Sequence, residues 1–159
     1  MKTIVVGLGN PILTDDGVGV KIACAVEDEL AKSQPENITV TEAGVGGLRL
    51  METLLGYDRA IIIDAIKFPK GSKPGAIHRL SIEDLRTIHP TQHTASAHDT
   101  TLVTALDMGR QMGLRLPKDI VIFAVEVENV LEFSEDLTPS VLAALPQATE
   151  MVMKEISKI

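Results

Sequence analysis

The sequence predicts an α/β fold: a mainly parallel, twisted sheet of about five strands, with helices on both faces and one antiparallel edge strand. Three observations predict it. β-Rich runs at Thr3–Val6, Ile38–Thr41, Arg59–Ala65 and Ile120–Val125 alternate with amphipathic helical patterns. Several of these runs are apolar without alternation, the mark of strands buried on both faces. The first two strands end in glycine turns, Gly7-Leu8-Gly9-Asn10-Pro11 and Gly44-Val45-Gly46-Gly47. In open α/β sheets such turns line the ligand crevice.

The elements follow in order. Thr14-Asp15-Asp16 resembles a helix start, and the first helix is expected from about Asp16 to Ala31, with Val18, Ile22, Val26 and Leu30 on its apolar stripe. One of the two aspartates is expected only to cap that helix. A second helix, about Leu48 to Leu55, stops at Gly56, a plausible residue for the left-handed position past a helix end. Lys67 to Gly75 is a loop, Ala76 to Leu80 an edge strand, and Ser81-Ile82-Glu83-Asp84 a short helical turn. Thr87 to Ala97 is polar and aperiodic; His89 and His93 within it read as solvent-exposed. Ser96 with Asp99 fits a capping box, which puts His98 in the first turn of a third long helix with Leu102, Ala105, Leu106, Gly109 and Met112 as its stripe. After the strand at Ile120–Val125 comes an acidic loop from Glu126 to Asp136. Thr138-Pro139 reads as N-cap and first residue of a last helix to near Ser157, and Pro146 predicts a kink or a split near Leu142.

At 159 residues the chain is expected to be one domain, 1–159, that buries roughly two-thirds of its unfolded surface. A net charge of −7 argues against a general binder of nucleic acid or anionic membrane. Cys24 is the sole cysteine, so no internal disulfide forms, which suits a reducing cytoplasm. Its place in an apolar helical pattern reads as core, not nucleophile. The N-terminus is already a strand, not a leader, and no apolar run reaches the roughly 18 residues that span a bilayer.

Asp16 and Asp64 each follow a strand at its carboxyl end. If the two strands are parallel neighbours, both side chains open on one edge, and the loop before His98 can reach it. Two carboxylates and an imidazole suit a first-row divalent metal with open positions. Other site classes fit worse. The phosphate loop G-x-x-x-x-G-K-[ST] is absent, Ile12 stands where a dinucleotide fingerprint needs its third glycine, and neither H-E-x-x-H nor G-x-S-x-G occurs.

Gly7-Leu8-Gly9-Asn10-Pro11 with Asp15-Asp16-Gly17-Val18-Gly19 resembles the N-terminal signature of the hydrogenase maturation endopeptidases. The resemblance continues through Glu42-Ala43-Gly44-Val45-Gly46-Gly47, Ile63-Asp64-Ala65, His98 with Leu102, and Leu137-Thr138-Pro139. It implies a single α/β domain that removes the C-terminal peptide of a nickel-iron hydrogenase large-subunit precursor after nickel insertion. It also implies that Asp16, Asp64 and His98 recognise that nickel and carry the catalysis, Asp16 being the first choice for general base. The nickel comes with the substrate; no tightly bound intrinsic cofactor, nucleic acid or membrane partner is expected. Glu42 stands where some relatives carry an aspartate, which keeps the carboxylate and changes its reach.

Two other readings stand beside this one. The opening Val6-Gly7-Leu8-Gly9-Asn10-Pro11 also resembles that of peptidyl-tRNA hydrolases, though Ile12-Leu13-Thr14-Asp15-Asp16 departs from their continuation and the chain lacks the basic charge a tRNA binder needs. The glycine turns also fit a nucleotide-binding or nickel-binding module without catalysis.

Overall fold

The computed structural model describes residues 1–33, 35–44, 47–68, 70–87 and 98–158, with the side chains of 98–101 outside that description. The predicted exposure of His89 and His93 and the capping role of Ser96 fall outside it. Five strands form one sheet: β1 (Thr3–Leu8), β2 (Ile38–Ala43), β3 (Arg59–Ile66), β4 (Ile77–Ser81) and β5 (Asp119–Glu126). Their order is β2-β1-β3-β5-β4. The first four in that order pair in parallel, and β4 pairs antiparallel with β5 at the edge. The expected fold class is therefore the observed one.

Side-chain alternation sorts the core into two layers. Val5, Ile61, Ile63, Val121, Phe123 and Val125 face one side. There they meet α1 (Val18–Leu30) and α5 (Pro139–Ile156). Ile4, Val6, Ile62, Ile120 and Ile122 face the other, under α2 (Leu48–Leu54), α3 (Ile82–Thr87) and α4 (His98–Gln111). The three central strands are buried on both faces, which explains their unbroken apolar runs; β2, at the edge, is only partly buried and carries alternating threonines.

Local sequence sets the ends of these elements. Gly56 has φ +83° just past α2, the left-handed position predicted for it. Ser81 and Asp84 cap α3 reciprocally: the Ser81 N–H donates to Asp84 Oδ2 at 2.7 Å, and the Asp84 N–H donates to Ser81 Oγ at 3.2 Å.

Four local expectations need correction. The first helix does not start at Asp16: a 3₁₀ turn over Thr14–Gly17 precedes it, because the Asp15 side chain is engaged elsewhere and no side chain caps α1. Cys24 is exposed, not core; it lies at the margin of α1, beside Glu42 of β2. Met112 is 70 % exposed, because α4 ends at Gln111 and Met112 leaves the stripe. Of the kink or split predicted at Pro146, the split does not occur: the last helix runs unbroken over Pro139–Ile156. The carbonyl that Pro146 leaves without its helical donor belongs to Leu142, which is exposed, while Val141, Ala144, Ala148 and Val152 bury the opposite stripe.

Candidate active site

The parallel pairing of β1 with β3 sets Gly7 opposite Ile63. Leu8 therefore stands level with Asp64, and the turn at Gly9 rises beside the end of β3. Close packing holds this corner. A Cβ on Gly19, in the first turn of α1, would lie 2.4 Å from the Ile63 carbonyl oxygen and 2.5 Å from that of Leu8. Only glycine lets the helix rest on the ends of both strands. Gly9 has φ +130°, and a Cβ there would meet the Asp16 carbonyl oxygen at 1.8 Å. Asp16 is thus seated on the Gly9 turn. Its Oδ2 accepts the Asn10 N–H at 2.8 Å. Its Oδ1 accepts no hydrogen bond among the described residues, so one oxygen orients the carboxylate and the other is available.

Asp64 is buried, with 2 % of its surface exposed. Its Oδ1 accepts the Ala65 N–H at 2.8 Å. It has the alternation of Ala60 and Ile62, and so faces the layer of α2 and α4. His98 opens α4, and so lies in its first turn as expected, and α4 covers that same face. The structure thus brings Asp16 and Asp64 to the carboxyl edge of two adjacent parallel strands and starts the His98 helix on the Asp64 side. The His98 side chain lies outside the described residues, so a three-residue cluster is not described; among the described residues no three His, Cys, Asp or Glu form a metal-ligating group.

Glu42 lies elsewhere. It pairs in register with Gly7, whose missing Cβ points at Gly19 and Ala23 of α1. Glu42 Oε1 accordingly meets Cys24 Sγ at 3.7 Å, on the face opposite to that of Asp64. Partial burial, then the Glu42 carboxylate, push the Cys24 thiol above its ordinary value. A thiol so held is a poor nucleophile near neutral pH. The sequence reading that Cys24 is not the nucleophile agrees with this.

Asp15 is fully buried, and its carboxylate is saturated by the loop from Glu128 to Thr138. Oδ2 accepts the N–H groups of Glu128 and Asn129, each at 3.0 Å. Oδ1 accepts the Thr138 N–H at 2.8 Å, and the Thr138 hydroxyl donates to the same carboxylate. Thr138 therefore does not cap α5 with its side chain. Of the neighbouring aspartates, one is structural, as expected, but it ties down a distant loop instead of a helix end. No sequence signal marks a partner so far along the chain.

A parallel sheet whose carboxyl edge carries carboxylates beside a glycine turn defines an open-sheet α/β protein with its ligand crevice at that edge. The family model described as hydrogenase maturation protease matches residues 4–155. The hydrogenase 2 maturation protease of Escherichia coli (strain K12) is 31 % identical over 153 residues, covering 96 % of this chain and 89 % of that one. The solved structure of the hydrogenase maturating endopeptidase HybD from E. coli superposes with a TM-score of 0.81 at 30 % identity, over 99 % of this chain and 93 % of that one. A solution structure of an endopeptidase from Escherichia coli gives a TM-score of 0.77 at 27 % identity, with the same coverage. The chain belongs to the hydrogenase maturation protease family. It is a peptidase of that family, and the match decides between the two resemblances of its Gly-Leu-Gly-Asn-Pro opening. No helix among the described residues is long and apolar enough to cross a membrane.

Proposed function

We propose that this enzyme removes the C-terminal extension of a nickel-iron hydrogenase large-subunit precursor after nickel insertion. Asp16, Asp64 and His98 complete the coordination of a nickel that the precursor holds by its own thiolates. The nickel is part of the substrate, and the enzyme needs no cofactor of its own. The observation that carries this reading is the seating of Asp16 on Gly9, beside the end of the strand that bears Asp64. Carboxylates suit a hard or borderline divalent ion, and His98 supplies the nitrogen.

Docking through the ion holds the scissile peptide in the crevice, an orientation effect that lowers a barrier by several kcal/mol. Oδ1 of Asp16, which accepts no hydrogen bond among the described residues, then takes a proton from the attacking water, while Oδ2, aimed by the Asn10 N–H, keeps a lone pair for the ion. The lone thiol of Cys24 suits a reducing compartment, and a cytoplasmic site of action goes with the reading.

Purified nickel-loaded precursor tests it. Asp16→Asn keeps an acceptor for the Asn10 N–H and loses the charge, so cleavage falls by about a hundredfold or more. Cleavage by that variant at the wild-type rate removes Asp16 from both roles. Equal cleavage of nickel-free precursor ends the nickel-docking idea.

A further inference from the structure

We propose that Ile12, Leu131 and Phe133 form a docking ledge for the C-terminal segment of the precursor, and that the segment it takes is apolar and flanked by lysine or arginine. This rests on the reading above and adds the chemistry of the polypeptide recognised. Leu131 is 84 % exposed, Phe133 83 % and Ile12 47 %. Single exposed apolar residues are ordinary, but these three lie on two segments joined to each other. The Thr14 N–H donates to the Ser134 carbonyl at 2.9 Å, and the Ser134 N–H donates to the Ile12 carbonyl at 3.0 Å.

The backbone that presents them is fixed before any partner arrives. Asn129 Oδ1 accepts the N–H groups of Leu131 and Glu132, and the Thr14 hydroxyl donates to the Glu132 carbonyl at 2.7 Å. Asp15 holds the same loop from beneath. Preorganised apolar side chains lose little entropy on binding, which is how a few residues come to dominate an interface.

Charge names the partner. Glu128, Glu132, Glu135 and Asp136 are exposed around the ledge, and none forms an ion pair among the described residues. Lys67, the neighbouring cation, donates to the Glu128 carbonyl instead. It lines, with Glu128, Glu132 and Leu131, a cavity of about 390 Å³ between the exits of β3 and β5. Such a rim attracts basic residues and repels a second copy of the same acidic face. Position fits as well. Ile12 precedes Asp16 by four residues, so an extended peptide at about 3.3 Å per residue passes from ledge to carboxylate within a few residues.

The experiment compares wild type with the double variant Leu131→Ser/Phe133→Ser and the charge reversal Glu132→Lys/Glu135→Lys, using nickel-loaded precursor. Each variant is expected to raise KM about tenfold, to leave kcat within about twofold, and to leave the unfolding midpoint unchanged. Wild-type KM rises with salt, and the charge reversal flattens that dependence. Wild-type KM in both variants overturns the ledge and leaves the peptidase reading standing. Precursor that binds wild type but not the double variant, yet is never cut, supports the ledge and overturns the proposed cleavage of this precursor. Self-association of the wild type that the double variant abolishes assigns the ledge to a second copy and overturns the precursor as its occupant.

Discussion

The Asp15 carboxylate receives both the backbone N–H and the hydroxyl of Thr138, a residue 123 positions further along the chain. With Glu128 and Asn129 it closes the whole loop beneath the ledge. Asp15→Ala leaves three partly buried N–H donors, those of Glu128, Asn129 and Thr138, without their acceptor, at about 1 kcal/mol or more each. The expected loss is at least about 3 kcal/mol in urea unfolding. Asp15→Asn, which keeps the shape but not the charge, loses less. A loss below about 1 kcal/mol for the alanine variant refutes the anchoring role.

Gly19 is confined by carbonyl oxygens of two different strands, and backbone atoms cannot swing aside. Gly19→Ala is therefore expected to push α1 off the sheet and to cost several kcal/mol, as overpacked sites do. Thermal unfolding measures it. The same displacement moves the turn carrying Asp16, so any folded fraction should cleave poorly. A variant as stable and active as the wild type shows that the corner has slack.

The opposite edge of the sheet holds the ionic network of Glu155. Its carboxylate binds the Arg79 guanidinium through both oxygens, at 2.9 and 3.0 Å, contacts Arg59, and takes Lys158 Nζ at 2.8 Å. Arg79, against the opposing effect of burial and with help from Lys158, lowers its pKa from 4.5 to about 2. A carboxylate depressed by folding adds stability that is complete above pH 4.5 and lost as pH falls toward about 2. Stability should thus decline in that acid window. Glu155→Gln should remove this part of the decline, and at neutral pH it should cost about 1–3 kcal/mol, because buried Arg59 loses this carboxylate but keeps Asp119. Urea titrations at neutral and acid pH read both effects. Parallel pH curves for the two proteins would exclude the network.

Pro146 is exposed on α5 and withholds a hydrogen bond from the Leu142 carbonyl. Pro146→Ala restores that donor without entering the core. The helix gains on the order of 1–3 kcal/mol, less the entropy the proline removed from the unfolded chain. A higher unfolding midpoint is the expected result, and a lower one counts against it.

Much of the fold was legible because the strands are short, continuous and buried on both faces, so periodicity reports them directly. Capping chemistry was legible where it is local, as at Ser81 with Asp84 and at Gly56. It misled where a side chain spends its hydrogen bonds on distant partners: Thr138 has the pattern of a cap, yet its hydroxyl belongs to Asp15. Cys24 and Met112 were misplaced for another reason. An apolar residue beside a stripe looks like core until the end and rotation of the helix are known.

Asp16 and Asp64 could be picked out because each follows a strand at a place where open sheets bind ligands. The sequence by itself determined the strands, the glycines that let backbone approach backbone, and the residues that signal the family. The tertiary structure alone decided which carboxylate is structural and which keeps an oxygen without a partner among the described residues, and on which face of the sheet Asp64 and Glu42 open. Strand order and register fix those facts. They depend on pairings between residues far apart in the chain, which no local pattern encodes.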